Sequence, residues 1–269
     1  MSNPGNFNRE VEAGPSLVFS TAEQARDFLY RNELARSLLE QLKTHDSDSW
    51  DHSIEVALLA SRIGQQLGFS PTEQATLHDS AGLHDVGKLG VPEAILSKPA
   101  RPSPEELLVL EQHPQIGYDL LKDFPDPIVR FVALDHHRQK VERVEPNGRV
   151  THNYPGGILD TDIEHIAQLN KELTPDQLAI FKKVLASVVA ADMVHARLGT
   201  RKYQKALTPS SEHPAVTRAA HKQGTWEDYM PPKIYLAAAQ RSAQELWPVP
   251  KLPRRSPTKR SPSAPPLPK

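Results

Sequence analysis

Three stretches of the chain share one helix-starting pattern: a capping residue, a proline directly after it, and Glu or Gln three positions after the cap. They are Ser70-Pro-Thr-Glu73, Ser103-Pro-Glu-Glu106 and Thr174-Pro-Asp-Gln177. The hydroxyl at the cap accepts a bond from the first turn, the Glu or Gln bonds back to the cap, and proline fits the first helical position. The pattern therefore predicts helices over about 71–86, 104–113 and 175–197.

Caps and apolar spacing predict four more helices. Ser20-Thr-Ala-Glu23 indicates an amphipathic helix that runs to about Leu42. Another helix contains His52 and ends near Gly68, with an apolar stripe formed by Val56, Leu59, Ile63 and Leu67. The last two cover Ile128–His137 and Pro232–Leu246. Since no segment alternates convincingly as a strand does, the predicted fold class is all-α.

The segment Arg138–Asp162 interrupts this helical pattern. It is polar, contains Gly and Pro, and shows no apolar period. A long irregular loop in a compact domain is usually functional or disordered. Two alternatives stay open: a lid on the substrate side, or a simple surface insertion.

Length and composition narrow the class of protein. The 269 residues fit one domain plus tails. The net charge of −1 gives no global field that favours nucleic acid, and the lack of cysteine excludes disulfides and thiolate metal sites. We find no apolar leader and no run of 18 apolar residues, so we expect a soluble, cytoplasmic protein.

The two ends differ in composition from the centre. Residues 1–18 are expected to be poorly ordered and 19–247 to form the helical domain. Residues 248–269 contain six Lys or Arg, many prolines and no acidic residue. This composition predicts an extended, disordered tail. Two alternatives stay open for the tail. It is a segment that docks on a protein partner or on an anionic surface, or it is a solvated end without a role.

Five His and two Asp recur where a metal centre would need ligands. Imidazole and carboxylate groups suit divalent iron, manganese or zinc, and a shared carboxylate can join two ions. A lone His is more often an ordinary surface or core residue, so the set matters more than any member. Its members are His52, the pair His84–Asp85, His113, the pair His136–His137, and Asp192.

The order of these residues resembles the HD superfamily of metal-dependent phosphohydrolases. The run from His84 to Pro99, the stretch from Ser103 to Gly117, and the doublet His136–His137 are similar to its HD-GYP branch of cyclic di-GMP phosphodiesterases. Asp192, Arg201 and Tyr203 match its terminal segment. The resemblance covers about residues 45–205 and implies an HD-domain helical bundle around a metal centre.

The resemblance also implies roles for individual residues. Two divalent transition-metal ions, iron or manganese, would share Asp85, and a hydroxide bridging them would attack a nucleotide phosphoester. One ion would lie on His52, His84, Asp85 and Asp192, and the other on His113, His136 and His137. Substrate phosphates would contact Lys88 and Arg201, with Lys205 a weaker candidate, and Tyr154 would stack on a base or bond a phosphate.

Three residues near the ligands keep two interpretations each. Asp48 lies four residues before His52 and is either a ligand for a third ion or the helix cap, and we favour the cap. Asp135 and His195 either orient ligands or face solvent.

The chain departs from the family pattern on the substrate side. Arg138 follows the His doublet where the family has Glu, and the nearest tripeptide to Gly-Tyr-Pro is Asn153-Tyr154-Pro155. These differences predict slow or relaxed cyclic di-GMP hydrolysis. The alternative function is an HD-GYP-like signalling module that binds a nucleotide or protein partner with little or no turnover.

Overall fold

The computed structural model describes residues 17–100, 102–137, 142–144, 150–152, 163–198 and 233–247. Of the predicted tails, residues 1–16 and 248–269 lie outside this part of the chain. So do Tyr154, Arg201, Tyr203 and Lys205.

The described residues form α-helices, one short 3₁₀ helix and one pair of short strands, so the all-α prediction is confirmed. No helix in these ranges is long and apolar enough to cross a membrane. The α-helices are α1 (Ala22–Leu29), α2 (Glu33–His45), α3 (Ser47–Gln66), α4 (Pro71–Leu83), α5 (Glu93–Leu96), α6 (Pro104–Leu110), α7 (His113–Leu120), α8 (Pro127–Asp135), α9 (Ile163–Glu172), α10 (Pro175–Leu198) and α11 (Lys233–Leu246).

All three repeated caps form as predicted. In Ser70 and Ser103 the hydroxyl accepts the main-chain N–H of the Glu three residues on, and that Glu accepts the N–H of the cap. Thr174 and Gln177 exchange the same two bonds. The helix around His52 ends near Gly68, whose φ of 70° is the left-handed conformation that favours glycine.

Three of the predicted helices have the wrong extent. The single helix from Ser20 to Leu42 is two helices, capped by Thr21 and Asn32. The helix predicted to reach residue 86 stops at Leu83, and a 3₁₀ helix follows over Val86–Gly90. The helix predicted to reach residue 113 stops at Leu110, and α7 begins at His113.

Part of the predicted irregular segment Arg138–Asp162 is ordered as strands. Glu142–Val144 (β1) pairs with Val150–His152 (β2) in antiparallel register, with Val144 opposite Val150. Three residues per strand are too few to show an alternating pattern. The lid prediction falls mainly on residues outside the described part of the chain.

The core lies between α3, α4, α8 and α10. Helix α3 packs on α4 and α10, α8 packs on α4 and α10, and α11 covers α3 and α10. The predicted stripe residues Val56, Leu59 and Ile63 are fully buried. Each large aliphatic side chain buried here stabilises the folded state by about 1.5–3 kcal/mol relative to an exposed one. This packing brings the second turn of α3, the end of α4, and parts of α7, α8 and α10 to one place.

Candidate metal centre

The cap of α3 fixes where His52 lies. Asp46 is the cap, because its carboxylate accepts the main-chain N–H of Ser49. Asp48, which we favoured as the cap, instead lies in the first turn with an exposed side chain. That correction puts Asp48 on the helix four residues before His52, although it joins neither ligand group described below.

The pair His84–Asp85 lies where α4 ends and the 3₁₀ helix begins. Gly87 allows this 3₁₀ helix to lie directly on α7. A Cβ at Gly87 would lie 1.8 Å from the carbonyl oxygen of His113 and 2.5 Å from the nitrogen of Gly117, which no side chain permits. The glycine between Asp85 and Lys88 therefore brings His113 close to Asp85.

The candidate ligands converge into two groups, and within each group one ligand atom from every residue lies within 4.8 Å of the others. One group contains Asp85, His113, His136 and His137, and the other contains His52, His84 and Asp192.

Asp85 lies between the two groups. Its Oδ1 is 3.3 Å from Nε2 of His113 and 3.6 Å from Nε2 of His136. Its Oδ2 is 3.5 Å from Nε2 of His84 and 3.8 Å from Nε2 of His52. Each carboxylate oxygen therefore faces a different group, as a carboxylate shared by two cations requires.

Main-chain carbonyls fix the orientation of three imidazoles. Nδ1 of His84 lies 2.7 Å from the carbonyl oxygen of Ala81, and Nδ1 of His113 lies 2.6 Å from that of Leu110. His136 makes the same contact with the carbonyl three residues before it, at 2.8 Å. A carbonyl only accepts, so each Nδ1 carries the proton and each Nε2 lone pair is free to bind a metal.

Burial and charge set the protonation states that metal binding needs. Burial lowers the pKa of His52, His84 and His113, which keeps these imidazoles neutral. Burial alone would raise the pKa of Asp85, but Lys88 and the surrounding imidazoles hold it well below its ordinary value. Burial would also raise the pKa of Asp192, but its contact with His52 above all lowers that pKa below its ordinary value.

These residues fit a divalent cation. Nε2 of His84 is buried and has no hydrogen-bond partner, which is costly unless something binds it. The donors are imidazole nitrogens and carboxylate oxygens, a set that suits iron, manganese or zinc. The site can therefore hold divalent metal ions.

His195, which contacts His52, and Glu55, which contacts His195, extend the site beyond the ligands. Nδ1 of His195 lies 2.8 Å from Nδ1 of His52, and Nε2 of His195 bonds a carboxylate oxygen of Glu55. His195 is therefore buried against a candidate ligand, which fits the first of its two interpretations. Glu55 was not predicted, although its place three residues after His52 was a usable signal. Asp135 is buried, which excludes the solvent-facing interpretation.

The chain is similar to known phosphodiesterases. The family model described as HD domain matches residues 49–180. The chain is 32% identical over 154 residues to a cyclic di-GMP phosphodiesterase of Thermotoga maritima, covering 55% of this chain and 39% of the relative. It is 30% identical over 153 residues to the cyclic di-GMP phosphodiesterase response regulator RpfG of Xanthomonas campestris, covering 56% and 33%.

Other relatives carry different substrate names. A 3′3′-cGAMP-specific phosphodiesterase of Vibrio cholerae is 26% identical over 134 residues, covering 49% of this chain and 24% of the relative. The chain spans at most about two fifths of the length of these three relatives.

A solved structure shares the fold. The HD domain of the Listeria monocytogenes phosphodiesterase PgpH, in complex with cyclic di-AMP, matches with a TM-score of 0.50 at 16% identity, covering 80% of this chain and 98% of that one.

Proposed function

Since residues 49–180 belong to the HD domain family and the chain resembles the HD-GYP branch of its superfamily, we propose that this protein is a metal-dependent phosphodiesterase that hydrolyses a cyclic dinucleotide. The observation that carries the proposal is the position of Asp85, whose two oxygens face two separate ligand groups. A module that only binds a nucleotide has no physical need for such a pair of groups.

The proposed cofactor is two divalent transition-metal ions, iron or manganese, one per ligand group. When bound, such a pair activates water for attack on phosphorus and neutralises the charge that develops on the phosphate. A third ion at Asp48 gains no support, because that exposed side chain is in neither group.

The protein's own residues would orient the substrate. The ammonium of Lys88 contacts Oδ2 of Asp85, and the Lys88 side chain is 20% exposed, so it lies between the buried ligands and solvent. A phosphate held at the centre would come within reach of this donor. Arg201 and Tyr154, with Lys205 as the weaker candidate, remain proposed substrate contacts.

We expect relaxed discrimination among cyclic dinucleotides. The ligand groups read only a phosphodiester, whereas bases must be read by surrounding loops. In this chain Asn153-Tyr154-Pro155 replaces the Gly-Tyr-Pro of the family. Relatives that act on cyclic di-GMP and relatives that act on 3′3′-cGAMP are both similar to this chain.

A substrate panel tests the proposal. The full chain is loaded anaerobically with iron or manganese, its metal content is measured, and hydrolysis of cyclic di-GMP, 3′3′-cGAMP, cyclic di-AMP and an aryl phosphodiester is followed. We expect turnover of at least one cyclic dinucleotide, its loss in His136→Ala, and its retention in His45→Ala, a matched histidine outside both ligand groups. Fully metallated protein that cleaves none of these would favour the signalling module instead.

A further inference from the structure

His52 has an outer hydrogen-bond partner of a different kind from those of three other ligands. His84, His113 and His136 each donate Nδ1–H to a main-chain carbonyl. His52 instead contacts a second imidazole, His195, which is itself bonded to a carboxylate.

The three residues of this chain of contacts come from two helices. His52 and Glu55 lie on α3, and His195 lies near the end of α10. The side chain of His195 is 10% exposed, whereas that of Glu55 is 41% exposed. The contacts therefore run from a ligand group in the interior to a charged side chain at the surface.

The chemistry of the acceptors sets one direction for the hydrogen bonds. The carboxylate of Glu55 only accepts, so Nε2–H of His195 donates to it. A neutral His195 then offers the lone pair of Nδ1, which accepts Nδ1–H of His52 at 2.8 Å. Nε2 of His52 lies 3.0 Å from Oδ1 of Asp192 and 3.8 Å from Oδ2 of Asp85, and with a cation bound among these atoms its lone pair would serve as a ligand.

An imidazole backed by a carboxylate is a stronger acceptor than a peptide carbonyl, and outer partners of this kind raise the basicity of the ligand that they contact. We propose that Glu55 and His195 are positioning residues: they hold His52 in the tautomer that binds through Nε2 and give the group His52, His84 and Asp192 a tighter hold on its cation. This inference rests on the proposed function.

The fold supports His195 in this position. Trp247 lies directly after α11. The centroid of its ring is 5.6 Å from that of His195, and the two rings are tilted by 54°. Helix α11 in turn packs on both α3 and α10. The packing of Trp247 and α11 holds the imidazole of His195 in one orientation between His52 and Glu55.

Manganese binding to the full chain tests the proposal. Protein stripped by a chelator is titrated with Mn²⁺ against a competing chromogenic chelator, and the two binding constants are compared among variants. Glu55→Gln and His195→Ala should weaken one of the two sites by about ten- to a hundredfold and leave the other unchanged. His195→Asn should restore much of the loss, because its amide oxygen can accept Nδ1–H of His52.

A matched control and a spectroscopic measurement separate positioning from general effects. Asp51→Asn removes another carboxylate from α3, beside Glu55, and should bind Mn²⁺ as the unaltered protein does. In Zn²⁺-loaded protein, ¹⁵N NMR should show His52 protonated at Nδ1, and His195→Ala should change that signal. Circular dichroism confirms that each variant is folded.

Three results would overturn the inference: unchanged Mn²⁺ binding in Glu55→Gln and His195→Ala, equal weakening of both sites, or the same loss in Asp51→Asn. Each leaves the proposed phosphodiesterase standing, because the unaltered protein still binds two ions. Unaltered protein that binds fewer than two Mn²⁺ would instead remove the two-cation centre itself, and this inference with it.

Discussion

The ammonium of Lys88 lies 2.6 Å from Oδ2 of Asp85, the carboxylate oxygen that also faces His84 and His52. A metal cation on that oxygen and the ammonium beside it would repel each other. Lys88 would then turn to the nearest other anion, which in a loaded site is the substrate phosphate. We therefore expect Lys88 to act on the substrate and to have no part in holding the metal.

Replacement of Lys88 separates these two roles. Lys88→Met keeps the length of the side chain and removes the charge, so metal content should stay at the unaltered level. A hydrogen bond to a charged group contributes about 1.5–3 kcal/mol, so kcat/KM should fall by about ten- to a hundredfold for every phosphodiester alike. Lys98→Met is the control, because Lys98 pairs with Glu106. Loss of metal in Lys88→Met would contradict this assignment.

The position of Asp85 between the ligand groups predicts a graded effect on metal content. Asp85→Ala should abolish both sites, because one oxygen faces each group. His113→Ala should reduce the content by about one ion, since its Nε2 belongs to one group only. Elemental analysis of purified variants measures both numbers. Full metal content in Asp85→Ala would show that the carboxylate is not shared.

Much of the fold could be predicted because helix starts are local. The caps at Ser70, Ser103 and Thr174 depend on residues within one turn, and all three form. Helix ends were less predictable because they depend on contacts distant in sequence. Helix α4 stops at Leu83 where Gly87 comes against the backbone of α7, and nothing within residues 71–86 indicates that approach.

In the candidate site, too, some features could be predicted from the sequence, whereas others depend on contacts between residues distant in sequence. The ligands were identified from their order along the chain and its family resemblance, and the structure brings them together. The contact between His195 and Glu55 spans 140 positions of sequence and depends on how α10 crosses α3. No local pattern encodes that crossing, so the pairing of Glu55 with His195 could be recognised only from the structure.

The close approach of Gly87 to the backbone of α7 can be tested by adding a side chain at Gly87. In Gly87→Ala the new Cβ would meet main-chain atoms of α7, which cannot move aside as a side chain can. We expect a loss of more than about 3 kcal/mol in the free energy of unfolding and weaker metal binding through displacement of His113. Gly68→Ala is the control, because Gly68 has open space around it and only its left-handed backbone resists a side chain, at about 1–2 kcal/mol. Urea unfolding and metal content measure both variants, and equal losses would show that the close approach is unimportant.

His78 is buried outside both ligand groups and predicts a pH dependence of stability. Its ring is fully buried between Phe19 and Phe28, at 4.6 and 4.9 Å between ring centroids, and neither ring nitrogen has a hydrogen-bond partner. Burial, with a smaller contribution from Arg31, lowers the pKa of His78 from 6.5 to about 3.

The direction of the change in the free energy of unfolding follows from the pH at which the folded and the unfolded state each bind the proton. The unfolded chain protonates His78 below pH 6.5, whereas the folded protein does so only near pH 3, so acidification in that interval favours unfolding. Between pH 7.5 and pH 5.5 this one group should lower the free energy of unfolding by about 1.4 kcal/mol. His78→Leu keeps an apolar side chain between the two Phe rings and removes the proton. Urea unfolding at both pH values should therefore show the variant gaining about 1.4 kcal/mol relative to the unaltered protein at the lower pH. All other ionisable groups are common to both proteins and cancel in this difference, so an identical pH dependence would mean that burial does not lower the pKa of His78.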